Sequence, residues 1–317
     1  MSRFLLRRLA LGLLTLFLVS VVVFVATQAL PGNAATAILG KNATPARVAA
    51  LTRQLHLNQS AFAQYTHWLG DIFKGNLGTS AATQQSVTSY ISGRIDNSAF
   101  LVLVSAIVAI PLSIVLGVWM AVRRDKPADH ILSVATLGLA ALPEFVIGII
   151  LVLLLGTNVS HILPAVSLIP PGQHAWNVPK VVVMPALTLI LAVTPYISRI
   201  MRASMVEVLE SDYVTMARLK GLPNRTVIWR HAVPNAIVPA IQVSALQLAY
   251  MAGGVVVVEF VFSYPGIGAA LVDAVGNRDV PVVQALALII AAVYVLVNLG
   301  ADIITILVTP RLRTAGR

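Results

Sequence analysis

The sequence has 317 residues, 58% of them hydrophobic and only 11% charged, with a formal net charge of +10 and a mean hydropathy of +0.87. Soluble domains carry about 25% charged residues, so this chain lacks the charge to clothe a water-soluble particle of its size. A soluble enzyme, a disordered protein and a coiled coil are excluded, which leaves an integral membrane protein. The absence of cysteine removes disulfides, thiolate metal sites and cysteine nucleophiles.

A spanning helix needs about 20 mostly apolar residues, and six stretches supply them. The first, 9–30, follows Arg3, Arg7 and Arg8; its only small-residue site, Ala26-Thr27-Gln28-Ala29, suits signal cleavage poorly, so it reads as a retained span. The long loop 31–97 contains structure of its own. Thr44-Pro45 reads as a cap with proline in the first helical turn. Leu51, Leu55 and Leu57, then Phe62, Tyr65, Trp68 and Leu69, give two short amphipathic helices, interrupted by Gly70, Gly75 and Gly78 before a polar stretch, 79–89. This loop is read either as an extracytoplasmic cap packed on the spans or as a docking surface for an external partner. The second span, 98–122, lies between Asp96 and Arg123, and the third, 131–156, contains Leu142-Pro143-Glu144.

Four prolines make 162–180 irregular. The fourth span, 181–198, ends at Arg199; the fifth, 236–262, contains Glu259; the sixth, 280–309, contains Asp302. The apolar runs are continuous rather than alternating, which excludes barrel strands. The fold class is therefore an all-α, multi-pass membrane protein with six transmembrane helices and a structured loop after the first. Its segments are 1–30, 31–97 and 98–317, the last including a cytoplasmic loop, 203–235.

Sorted by loop, 15 of the 22 basic residues fall on the side of the termini and of the 123–126 and 199–230 segments. Seven fall on the other side, five of them in the long 31–97 loop, and long loops cross a membrane largely regardless of charge. Both termini are thereby predicted cytoplasmic, and the +10 is chiefly a topology signal rather than a nucleic-acid footprint.

Within 203–235, Ser211-Asp212 is placed to cap a helix over 213–220. Gly221 is placed to take the left-handed terminating conformation, and Pro223 blocks continuation. Asn224 is placed to cap a second short helix, 225–231, limited by Pro234. Tyr213, Ala217 and Lys220 fall at i, i+4 and i+7, on one face. Two short helices around a glycine elbow read either as a presented docking element or as an amphipathic loop on the headgroups.

Charges within a span are costly and usually face a bundle interior. Glu144, Glu259 and Asp302 are therefore candidates for a pathway or a subunit interface, with Glu259 and Asp302 close enough to the span ends to reach the interface. The histidines at 56, 67, 130, 161, 174 and 231 have no ligand spacing, so no metal site is expected. His231 is read as a docking or packing residue, and the small residues Ala249, Ala252, Gly253 and Gly254 as a close-packing face.

Asp212-Tyr-Val-Thr-Met-Ala-Arg-Leu-Lys-Gly221-Leu-Pro223, followed by His231-Ala-Val-Pro234-Asn235-Ala236, resembles the cytoplasmic signature loop of permease subunits in bacterial ATP-binding cassette importers. Leu30-Pro-Gly32, Gly75-Asn-Leu-Gly78, Leu142-Pro143, Phe262-Ser-Tyr-Pro-Gly-Ile-Gly268 and Asn277-Arg-Asp-Val-Pro-Val-Val-Gln284 are similar to the branch importing dipeptides, oligopeptides and, in some members, nickel. The resemblance covers nearly the whole chain in order. One departure stands out: the Glu-Ala-Ala run that names the family's loop reads Thr215-Met216-Ala217 here, which removes any salt bridge that glutamate makes to an ATPase subunit.

The resemblance implies a type I importer in the bacterial inner membrane. A second homologous permease would complete the pathway, two cytoplasmic ATPase subunits would each grip one signature loop, and an extracytoplasmic solute-binding protein would deliver di- or oligopeptides. ATP and Mg would belong to the ATPases. This chain has no GxxxxGK[ST] phosphate loop, so it is expected to be a non-catalytic subunit without a bound cofactor. The same architecture also fits nickel or another non-peptide cargo. A stand-alone secondary transporter would require internal repeats, and an intramembrane hydrolase a Ser–His or paired-acid constellation. The sequence displays neither.

Overall fold

The computed structural model describes residues 2–28, 43–54, 59–157, 161–170 and 172–308. Leu55 and Leu57 of the loop reading, and Leu30-Pro-Gly32, lie outside them. The described chain is helical: α1 Ser2–Gln28, α2 Pro45–Gln54, α3 Ala61–Phe73, α4 Val87–Val122, α5 Pro127–Ala141, α6 Glu144–Leu151, α7 Pro179–Leu209, α8 Asp212–Leu219, α9 Asn224–Val261, α10 Ile267–Gly276 and α11 Val280–Val308. Five of these are long and apolar enough to cross a membrane, and α5 with α6 makes a sixth span if the bent pair counts as one.

That bend corrects the expectation of a continuous third span. The pair meets at 109°. Leu142 precedes a proline, which drives it out of the helical region to φ −87°, ψ 133°. Pro143 then occupies the N-cap and α6 restarts at Glu144. The second correction concerns 203–235. Span four continues through Ala203 to Leu209, and the segment expected as a separate helix over 225–231 is the start of α9. A π turn, Val227–Ala232, carries the helix past Pro234. Its wider winding displaces the carbonyl that the proline ring would otherwise strike.

The chain divides into two compact units, 99–264 with 296 onward, and 2–98 with 265–295. In the second unit, Phe24, Tyr65 and Trp68 cluster with ring centroids 5.3–5.9 Å apart, and the Ser20 and Tyr65 hydroxyls are hydrogen-bonded at 2.7 Å. Ser60 caps α3 by accepting from the Ala63 N–H. The polar stretch before α4 is pinned by buried Asp279, which accepts from the Ser80 hydroxyl and from the N–H groups of Ala81 and Ala82. Val87, Ile91, Ile267, Ala270 and Leu286 form its apolar core.

In the first unit, α7 and α9 make the most extensive helix pairing among the described residues, with α5 and α6 packed on α7. The core is built from Met184, Leu189, Val193, Met251, Val255, Val258, Phe262 and Tyr264. Gly117 of α4 faces α7 so closely that a Cβ there would lie 2.5 Å from the Ser198 carbonyl and 2.7 Å from the Met201 Cβ. At the foot of α5, buried Asp129 accepts two hydrogen bonds from Arg202, at 2.7 Å from Nε and 2.6 Å from Nη2.

Two stability predictions follow from these contacts. Gly117→Leu sets a side chain against backbone that cannot yield, and should destabilise the chain by about 1–3 kcal/mol, the usual range for overpacking. Detergent melting followed by size-exclusion chromatography reads this as a lower midpoint. Arg202→Ala leaves a buried carboxylate unpaired and should cost about 3 kcal/mol or more, whereas Asp129→Leu combined with Arg202→Met should recover most of it.

Candidate functional site

The connection between α7 and α9 is the best-defined candidate. Asp212 lies in the first turn of α8, where a carboxylate complements the helix dipole. Ser211 holds the N-cap position, but its hydroxyl turns back and donates to the Val208 carbonyl at 2.5 Å instead of capping the helix. Val214 and Ala217, three residues apart, form the inner face and pack on Val227 together with Val208 and Leu209. This seats α8 directly on the ends of the two helices it connects.

The helix ends as expected at Gly221, with φ +76°. The Gly221 N–H donates to the Arg218 carbonyl at 2.9 Å and the Leu222 N–H to the Ala217 carbonyl at 3.4 Å, the paired bonds of a Schellman termination. A Cβ on Gly221 would meet nothing within 4 Å. The glycine is therefore required by its backbone conformation, and no side-chain clash is involved. Pro223, rather than Asn224, occupies the N-cap of α9.

The three residues expected on one face are split. Ala217 is buried, while Tyr213 and Lys220 are exposed. The outward surface also includes Met216, 55% exposed, and Leu219, 76% exposed, which the i, i+4, i+7 reading passed over. The buried i, i+3 pair Val214 and Ala217 was the signal that orients the helix. His231 is half-buried in the π turn, and its carbonyl accepts from the Asn235 side-chain amide at 2.7 Å. Pro234 and Asn235 are exposed.

The intramembrane acids have separate surroundings. Glu144, the first residue of α6, lays its carboxylate on Gly254 of α9, where a Cβ would lie 2.6 Å from Oε2 and 2.9 Å from Oε1. Tyr250, one turn earlier on α9, is its hydrogen-bonding neighbour, and Oε2 itself is buried with no partner among the described residues. Gly254 thus admits a carboxylate rather than another helix backbone. Glu259 is fully buried near the end of α9, its carbonyl accepting from the Tyr264 N–H at 2.8 Å. Asp302 is half-exposed on α11. Among the described residues, no group of three or more His, Asp or Glu is placed to hold a metal ion.

Comparison with known proteins identifies the family. Residues 113–314 match the family described as binding-protein-dependent transport system inner membrane component, and residues 1–102 match the N-terminal part of such membrane components. A probable peptide ABC transporter permease protein, y4tP, from Sinorhizobium fredii (strain NBRC 101917 / NGR234) is 34% identical over 99% of this chain and 100% of its own length. The glutathione transport system permease protein GsiC is 34% identical in Salmonella typhi and 33% in Escherichia coli (strain K12), covering 99% of both chains in each case. This chain belongs to the family of binding-protein-dependent transport system inner membrane components, the membrane-spanning permeases of ATP-binding cassette importers.

Proposed function

We propose that this chain is one of two permease subunits forming the pathway of an ATP-driven importer for short peptides or peptide-like solutes. An extracytoplasmic binding protein delivers the cargo, and two cytoplasmic ATPases supply the work. Its place is the bacterial inner membrane, with both termini in the cytoplasm, and its role is non-catalytic. The observation that carries this reading is the α8 element: a short helix, rigidly ended at Gly221, seated by Val214 and Ala217 on the ends of α7 and α9. A push on α8 is thereby delivered to the helix pair at the centre of the unit. Full-length similarity to permeases named for peptide and glutathione transport supports the cargo class.

The outer face of α8 suits a protein partner. Tyr213, Met216 and Leu219 present apolar surface in the cytoplasm, with Lys220 beside them. Where the family's loop has glutamate and alanine this chain has Thr215 and Met216, so its grip on an ATPase is apolar where an ion pair would otherwise serve. Methionine suits that task, because its flexible thioether adapts to the groove it enters. Glu144, Glu259 and Asp302 are assigned to the interior of the assembly, with Glu144 at the broken span nearest to a pathway role.

Gly221→Val tests the coupling. Valine at φ +76° is strained, so the turn refolds and α8 loses its fixed angle. In the complex reconstituted with its partner permease, ATPases and binding protein, uptake should fall at least about ten-fold, the effect of roughly 1.4 kcal/mol, while ATP hydrolysis and membrane insertion persist. Uptake at the unaltered rate would remove the coupling role of this loop.

A further inference from the structure

The helix α3 is held against α1 at three levels. At the end of α1, the Gln28 side-chain amide donates to the Gln64 side-chain oxygen at 2.7 Å. One turn below, the Phe24 ring meets both Tyr65 and Trp68, so α3 crosses α1 at that level. A further turn below, the Ser20 and Tyr65 hydroxyls lie 2.7 Å apart. Ser20 gives its own proton to the Phe17 carbonyl, which makes the tyrosine the donor.

The depth of these contacts follows from α1. Arg8 marks the near edge of the hydrocarbon core, because a span expels charge. At about 1.5 Å per residue, Phe24 stands roughly 24 Å above Arg8, and Ser20 roughly 18 Å. In a core of about 30 Å the contacts with α3 are then roughly 6–12 Å below the far boundary, and any tilt of α1 sinks them further. The same stretch of α1 leaves Leu18, Val22 and Val25 exposed, as a surface facing lipid does.

The two hydrogen bonds also fix the roll of α3, since Gln64 is tied to the shallow residue of α1 and Tyr65 to the deep one. At the helical repeat, Gln64, His67 and Asp71 share the shallow face. Phe62, Leu69 and Phe73 fall at i, i+7 and i+11 on the deep face, where Phe62 is 77% exposed and Phe73 83%. Thr66 borders that face and donates its hydroxyl to the Ala63 carbonyl at 3.0 Å, so it brings no unpaired donor. An amphipathic helix lying in a membrane boundary buries its apolar face by about 5–10 Å, which is the depth that α1 sets here.

We propose that α3 is embedded in the bilayer, in the leaflet opposite Arg7 and Arg8, and that its exposed apolar face is covered by lipid. Phe62, Leu69 and Phe73 enter the acyl chains, while His67 and Asp71 stay among the headgroups. Beyond Gly75 and Gly78 the chain continues into the stretch pinned by Asp279. The embedded helix therefore sets the height at which that stretch stands over the membrane.

The test places single nitroxide labels on Phe62→Cys, His67→Cys and Phe73→Cys in the whole complex, reconstituted in phosphatidylethanolamine–phosphatidylglycerol vesicles. All three side chains are exposed, so the substitutions spare the packing on Phe24. Collisions with oxygen, which concentrates in acyl chains, should exceed those with a water-soluble nickel chelate at 62 and 73, and the order should reverse at 67. In the unaltered chain, a phosphatidylcholine with a diazirine on its acyl chain should form adducts on α3 as well as on Leu18, Val22 or Val25 of α1. An excess of nickel collisions at 62 and 73 would put that face in water and overturn the proposal. Labels there shielded from both reagents, or shielded once the binding protein is added, would give the face to a protein and overturn it equally. So would diazirine adducts on α1 with none on α3.

Discussion

Close packing of α7 against α9 is the contact on which the functional features of the 99–264 unit depend. The two helices are joined by α8, whose buried face, Val214 and Ala217, rests on residues from both of them. They form two walls of a cavity of about 680 Å³, and α9 receives the Glu144 carboxylate at Gly254. A membrane gives helices no hydrophobic reason to associate, so such pairs rely on steric fit. The alanines, methionines and β-branched residues of the two helices supply that fit.

The second constraint is that lipid leaves no unpaired backbone group without cost. Prolines inside the spans therefore have consequences set by their surroundings. Pro185 and Pro195 remain within a continuous α7, whereas Pro143 ends one helix and begins another at 109°. At Pro234 a π turn absorbs the same disturbance without a break. The break at Pro143 brings the start of α6 and its Glu144 onto α9, which an unbroken span would not do. One oxygen of that carboxylate is buried there with no hydrogen-bond partner among the described residues.

Much of this was legible in the sequence, and the remainder failed for identifiable reasons. Hydropathy located the spans, because lipid imposes that signal strongly. Gly221 was legible because a glycine followed closely by proline after an amphipathic turn leaves the backbone few options. The Pro143 break was not, since a proline in an apolar run is compatible with a kink, a stop or continuity, and neighbours decide which. The face of α8 was misread because Tyr213, Ala217 and Lys220 satisfy helical spacing as well as Val214 and Ala217 do, and only the position of Val227 distinguishes them. The complete burial of Glu259 was not legible, because position along a span does not reveal which side chains the neighbouring helices cover. The Asp129–Arg202 pair joins residues 73 apart, and no local pattern announces it.

The central claim is that α8 is the surface through which ATPase subunits drive this permease. The chain lacks cysteine, so single-cysteine variants give unambiguous cross-links. The direct measurement is cross-linking in native membranes from Met216→Cys, with Val214→Cys as the buried comparison, and mass spectrometry of the product. The account predicts a cross-link from position 216, and little from 214, to a cytoplasmic protein containing a phosphate-binding loop. A product containing no such ATPase, or equal yields from the exposed and buried positions, would contradict it.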